Sequence, residues 1–487
     1  MFTYGALYLF ILLWPSFCLG GTTSGGTVVE ARLLTPISTY SSKSGTEVAA
    51  LLTTPVCLQD ERALPDGAQF RGVIQRVGKV GLGLVHESAS FELSFRVLSL
   101  PDGRVDPVEA RLVAIENARE RVDKRGKVHG IRATATLSNR AGQRLVFAAM
   151  SHPAAGFPLF FLEASVFHFP EPEIEYGPGA RISLDVHFPD ALGPVGPCAL
   201  PGAETSAAAL ADMQDMVDAL PYWSYSTRQR QPMDLVNLVF TAEPEALESA
   251  FVAAGWIGSR PNSMRAGLRA IRAIAEERAY PDAPMRDLVM DGAEPDFRLQ
   301  KSLDTFAKRD HLRIWKRAED LGGQPVWASA ATRDLGATFA MHPFGFTHEI
   351  QNDVDVERDE VVRDLVSTGC VGSVTYVQRQ ETIRGVGGPY RRGVTTDARV
   401  AVVRLNACAP PNDAPAEEPS LRQPGKAVRV TRRVILTARN HFLRDNIVWR
   451  TGDALRLGYL TLRDWNGQRK DERRARERDS AVLEASR

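Results

Sequence analysis

Between residues 26 and 190 apolar and polar positions alternate in short runs. Val28 to Leu34, Val48 to Thr54, Phe70 to Val77, Ser90 to Leu100, Val108 to Ile115 and Ile131 to Ser138 are rich in β-branched and aromatic residues, with turn residues between them. The tetrapeptide LPDG occurs at Leu64 to Gly67 and again at Leu100 to Gly103. Its proline presets the first turn dihedral and its glycine supplies a positive one, which suits a hairpin. Ala180 to His187 is one more run, placed to close the set. Several short strands at this spacing predict an all-β barrel over 26–190. Residues 191–220 are rich in Pro, Gly and Ala and read as a linker with a short helix.

The pattern then changes. Leu235 to Phe240 reads as a buried strand, and TAEPEALESAFVAAGW as a helix to about Gly255 with Thr241 as its N-cap. Asn262 to Arg278 has helical periodicity, with Arg265, Arg269 and Arg272 on its polar side. Strands are expected at Asp296 to Leu303, His311 to Arg317 and Val326 to Thr332, followed by a charged helix from Asp355 to Thr368 that stops at Gly369. Val371 to Gln380 and Ala398 to Leu405 read as a long hairpin. The fold class expected is therefore multidomain: an N-terminal all-β barrel followed by an α+β domain over 221–410. A C-terminal extension over 411–487 contains a β-like stretch, Ala427 to Ala438, with Arg429, Arg432 and Arg433. It ends in a mixed-charge tail from Arg469.

Composition alters this picture mainly by exclusion. The 487 residues carry 59 basic and 59 acidic side chains, so no global field draws the chain to nucleic acid, and no nucleic-acid partner is expected. Residues 1–21 have an apolar run from Ala6 to Trp14 and small residues at Gly20 and Gly21, the form of a signal peptide without a charged n-region. Cys18 opens a lipoprotein alternative, against which stands Phe17 where a small residue would be needed. No later stretch reads as a membrane span. An exported chain in the periplasm or cell envelope is expected, with no transmembrane span once the signal is removed. The partner expected is an envelope component or a protein, its identity left open by the sequence. Walker, GxGxxG and GxSxG patterns are missing and no cofactor is expected.

The densest mix of His, Arg, Asp and Trp lies between Asp296 and Gly369. Three pieces, RDHLRIW (Arg309 to Trp315), ATRD (Ala331 to Asp334) and THEIQNDVDVERD (Thr347 to Asp359), resemble the LssY C-terminal family of bacterial envelope-associated proteins. That resemblance implies a domain and a neighbourhood, and no established catalytic role comes with it. In the first region, GTVVEARLLTPISTYSSKSGTEVAALLTTPV followed by LPDGAQFRGVI resembles the β-barrel domain of type IV secretion channel subunits, the TrbI family. It implies a barrel, while the membrane helix and Pro-rich arm of such subunits have no counterpart here.

Strand alternation puts His311 and Arg313 on one side of their strand, and Ser329, Ala331 and Arg333 on one side of the next. If the strands pair, His311, Arg313 and Arg333 converge on one surface, a setting for an anion held by Arg forks with His311 as acid or base. Asp334, Asp353, Asp355, Arg358 and Asp359 are the ion-pair or supporting candidates. In the alternative reading the arginines pair with Asp353, Asp355 and Asp359 and tie the helix to the sheet. A metal set would use His311, His342 and His348 with Glu349 or Asp353, although HExxH is missing. Whether the chain is an enzyme stays open. Of the four cysteines beyond the signal, Cys370 and Cys408 fall at the open end of the predicted hairpin and are expected to form a disulfide. Two buried thiols are the alternative, and no pairing is fixed for Cys57 and Cys198.

Overall fold

The computed structural model describes residues 26–53, 55–57, 63–136, 168–188, 206–227, 231–340, 345–379, 393–408 and 424–449, with isolated positions at 139, 142 and between 451 and 466. Six antiparallel strands close into a barrel: β1 (Thr27–Leu33), β2 (Glu47–Leu52), β3 (Gln69–Gly78), β4 (Ser90–Ser99), β5 (Val105–Ile115) and β6 (Arg181–His187). Their order is β3-β2-β1-β6-β5-β4, and β4 returns to β3. Closure leaves no long edge unpaired. Alternation aims Val29, Ala31 and Leu33 of β1, Phe91, Leu93 and Phe95 of β4, and Ile182, Leu184 and Val186 of β6 inward. Gly72 sits at a register shift in β3, where a Cβ would collide with the Ser94 carbonyl.

Over the described residues 131–136, the strand expected at Ile131 to Ser138 is not formed. A single 3-10 turn at Ala133–Ala135 takes its place, secured by the Thr136 hydroxyl donating to the Ala133 carbonyl at 3.1 Å.

The α+β region begins with α1 (Ala207–Ala219) and β7 (Leu238–Thr241), followed by α2 (Pro244–Ala253) and α3 (Met264–Ala275). After them come β8 (Phe297–Lys301), β9 (Arg309–Leu321), β10 (Gln324–Ala340), β11 (Gly345–Ile350), α4 (Val354–Val366), β12 (Val371–Gln378) and β13 (Arg399–Leu405). The sheet runs Ile257–Gly258, β8, β9, β10, β7, β13, β12, with β11 paired to β10. Only β7 and β13 are parallel among these pairs. One face, carrying Phe240, Leu312, Ile314 and Ala331, is buried with Leu247 and Phe251 of α2 and Val361, Val362 and Leu365 of α4. The other, with Val239, Trp315, Ala328 and Ala330, packs with Val217 of α1 and with Met233, Leu288 and Met290. The sheet is thus the middle of three layers.

The caps are local chemistry. Thr241 ends β7 rather than capping α2, whose N-cap is Glu243, two residues later, with Pro244 in its first position. Asp353 caps α4 by accepting from the Asp355 N–H at 3.2 Å, and Gly369 leaves the helix at φ +72°. The hairpin of β12 and β13 pairs antiparallel as expected, and Cys370 and Cys408 are joined, their Cα atoms 4.5 Å apart.

The barrel strands and the α+β region belong to one compact unit. A second unit gathers residues 80–88, 131–172 and 423–487. In that second unit the stretch expected as β at Ala427 to Ala438 is instead α5 (Lys426–Asp445).

Candidate functional site

The antiparallel register of β9 and β10 decides which candidate side chains meet. His311 lies opposite Thr332 and Arg313 opposite Ala330, whereas Arg333 lies opposite Asp310. Directly opposed residues share a face. His311 and Arg313 therefore project on the α1 side of the sheet and Arg333 on the α2 and α4 side, so the three do not converge on one surface. The cause is the two-residue turn Gly322–Gly323, with φ +59° and +77°, which pairs odd positions of β9 with even positions of β10.

On the α1 side the charges are matched in pairs. His311 Nε2 lies 2.7 Å from Asp334 Oδ2, and Arg309 Nη2 stands 3.7 Å from the same atom. Arg309 also donates to Gln300 Oε1 at 2.9 Å and lies over the Phe306 ring. Arg313 donates to Asp234 Oδ2 at 2.5 Å and to the Arg286 carbonyl at 3.1 Å. All five of Asp234, Arg309, His311, Arg313 and Asp334 are buried. Burial pulls His311 down to about 4 against the opposing pull of Asp334, so its imidazole is neutral near pH 7. Burial also raises Asp234 and lowers Arg309 to about 10. With Nε2 hydrogen-bonded to Asp334, Nδ1 of His311 is buried and makes no hydrogen bond among the described residues.

On the other face Arg333 is held by three carboxylates: Asp310 Oδ1 at 2.8 Å, Glu116 Oε1 at 2.5 Å and Glu357 Oε2 at 2.8 Å. Glu116 follows barrel strand β5, so this guanidinium spans barrel, sheet and α4. The network continues from there. Arg181 of β6 pairs with Glu116 at 2.6 Å and with Glu360 and Asp364 of α4. Asp364 also receives Arg32 of β1 and Lys301 of β8, each at 2.7 Å, and the Trp256 indole at 3.0 Å. Burial alone would raise Asp364, but Arg181, Lys301 and Arg32 hold it at about 2. Glu357 is pushed well above the usual carboxylate range by burial, which exceeds the pull of Arg333.

The remaining ion-pair candidates have other partners than Arg313 and Arg333. Asp355 and Asp359 flank the fully buried Arg358, which donates to Asp397 at 2.7 Å and to the Arg399 carbonyl at 2.9 Å. Tyr376 donates to Asp359 at 3.1 Å. The helix is tied to the sheet through Glu357, Asp364 and Arg358 and to the barrel through Glu360 and Asp364, not through Asp353, Asp355 or Asp359 paired with Arg313 or Arg333. Asp353 serves as the cap. Of the histidines in the metal reading, His342 and the side chain of His348 fall outside the described residues. Among the described residues no three His, Cys, Asp or Glu side chains gather to hold a metal ion. Cys57 and Cys198 also cannot be placed as a pair, since Cys198 and the Cys57 side chain lie outside the described residues.

Asp234, Arg309, Asp310, Glu116, Glu357 and Asp364 are the residues that sequence reasoning missed. The Gly-Gly turn was the available signal for Asp310, since it fixes the parity of the hairpin. The long-range partners Glu116 and Asp234 had none.

A cavity of about 310 Å³ opens on the α2 side of the sheet. It is walled by Phe251, Trp256, Phe297, Leu299 and Ile314, with Arg298 among the polar lining. Its lining is mixed, with Glu248, Ser259 and Asp296 beside the apolar wall.

These features define an α+β domain with buried charge networks on both faces of its sheet, preceded by a closed barrel. Residues 216–392 match the family model described as LssY C-terminus, so this segment carries the LssY C-terminal domain that its motifs resemble. No curated protein matches the chain.

Proposed function

We propose that the chain is an exported protein of the bacterial cell envelope that acts as a binding or assembly factor, its partner seated at the cavity beside α2. Arg333 carries this reading. Its guanidinium is shared among Asp310, Glu116 and Glu357, and Arg313 is occupied by Asp234, so both arginines serve as internal frame. An envelope component or a protein partner with an apolar group fits the cavity wall. Export rests on residues 1–21 and is tested by N-terminal sequencing of the periplasmic fraction. Recovery of a chain that still begins at Met1, in the cytosol, opposes it.

The frame is tested with Arg313→Ala and Arg333→Ala in two measurements, thermal unfolding and calorimetric titration with inorganic phosphate. Lower unfolding midpoints and no phosphate binding by wild type are expected. Phosphate binding by wild type that either variant loses at unchanged stability would refute the reading.

One observation favours an enzyme as the second reading. The neutral His311, oriented by Asp334 and with Nδ1 unpartnered, has the arrangement of a general base. The anionic substrate first expected of it would lack both arginines. Turnover of p-nitrophenyl phosphate that His311→Gln abolishes would establish that reading.

A further inference from the structure

We propose that α5 and the helical positions after it lie on an anionic lipid surface, with the apolar row of α5 turned to the acyl chains. This helix leaves an apolar row in the open while three polar side chains lie on its packed side. A helix of a folded unit normally buries its apolar stripe. In α5 the packed side carries Leu436, Arg439, Asn440, Leu443 and Arg444. The exposed row is Val430, Val434, Ala438 and Phe442, spaced four residues apart, with Val434 63% and Phe442 54% exposed. Val428 and Ile435 flank that row and are exposed too.

The arginine side grips the loop at 80–88 within the same unit. Arg439 donates to the Gly81 carbonyl, and Arg432 to that of Val80 at 3.4 Å. That loop exposes Leu82, Leu84 and Val85, the last at 79%. Beyond α5, Ile447, Val448, Leu455, Tyr459 and Leu462 are exposed, and the Trp449 indole reaches Glu87 at 3.3 Å. Exposed apolar side chains thus occur on the helix, the loop and the following positions.

Charge selects the occupant. From Lys426 to Trp449 there are six basic residues against one acid, Asp445, in a chain whose net charge is zero. Lys426, Arg429 and Arg433 are exposed beside the apolar row. A second copy docked face to face would bring like charges together, whereas anionic headgroups neutralise them while the apolar row leaves water. Among the described residues no helix is long and apolar enough to cross a membrane, which assigns α5 to the interface plane. Trp and Tyr belong at that depth.

The test is sedimentation of the full chain with vesicles of phosphatidylglycerol and phosphatidylcholine, against phosphatidylcholine alone. Partition should favour the anionic vesicles by about tenfold. Val430→Glu with Val434→Glu should lower it about tenfold, and Arg429→Gln with Arg433→Gln should lower it and weaken its salt dependence. All four positions are exposed, and near-ultraviolet dichroism is expected to be unchanged. The proposal is overturned if neither vesicle sediments the chain, or if the glutamate pair leaves partition intact. It is also overturned if the chain ignores vesicles and sediments as a dimer that the glutamate pair converts to a monomer.

Discussion

His311 shows how burial turns a residue into a pH-dependent element of stability. The unfolded chain takes up a proton on this imidazole below about 6.5, while the folded chain does so only near 4. Between those values the unfolded state binds more protons, so stability is lost as pH falls through the window, with a ceiling of about 3 kcal/mol. Urea unfolding near pH 7 and near pH 5 should show a smaller acid loss in His311→Gln than in wild type, and equal losses would contradict the assignment. Asp304 acts in the opposite direction. Burial and the neighbouring Glu120 raise it to about 8, so ionising it opposes folding and stability declines as pH rises toward that value. Asp304→Asn should flatten the decline between about pH 4 and pH 8, and a variant that follows wild type throughout would exclude this cause. Strand alternation put His311 and Arg313 on one side of β9, in agreement with the register of β9 with β10. It could not say which side Arg333 took, because alternation fixes sides within a strand and the turn at Gly322–Gly323 fixes them between strands.

At the scale of elements, long-range pairing explains most of what the sequence pattern missed. The barrel strands, the hairpin and the charged helix α4 were readable because alternation, helical period and the Gly369 stop all agreed there. Ala427 to Ala438 misled through its Val, Ile and Thr content. The same residues form two rows at helical spacing, 430–434–438–442 and 432–436–439–443, and α5 follows those rows. α4 shows a different limit: Glu357, Arg358, Glu360 and Asp364 are buried, because their partners come from the sheet and the barrel. The disulfide is the element-scale prediction. It closes a separation of 38 residues, and in the chain-entropy model its loss costs about 3 to 4 kcal/mol. Reductant, or Cys370→Ala with Cys408→Ala, should lower the unfolding midpoint accordingly. A midpoint indifferent to reductant, with Cys370 alkylated in the native protein, would reject the bond.

At the scale of the first compact unit, barrel and α+β region are joined by charge. Arg32, Arg181, Lys301 and Arg333 interleave with Glu116, Asp310, Glu357, Glu360 and Asp364, and the contributing residues come from β1, β6, β8, β9, β10, α4 and the end of β5. Removing one partner leaves the others buried and uncompensated, a cost of about 3 to 5 kcal/mol in such settings. Arg333→Met is therefore expected to destabilise the whole unit. The most direct measurement is a double-mutant cycle between Glu116→Gln and Arg333→Met, read by denaturant unfolding of the full chain. A coupling of about 1 to 3 kcal/mol is predicted for this contact between barrel and sheet. Additive losses, with no coupling, would contradict the account that these charges are the internal frame of the protein.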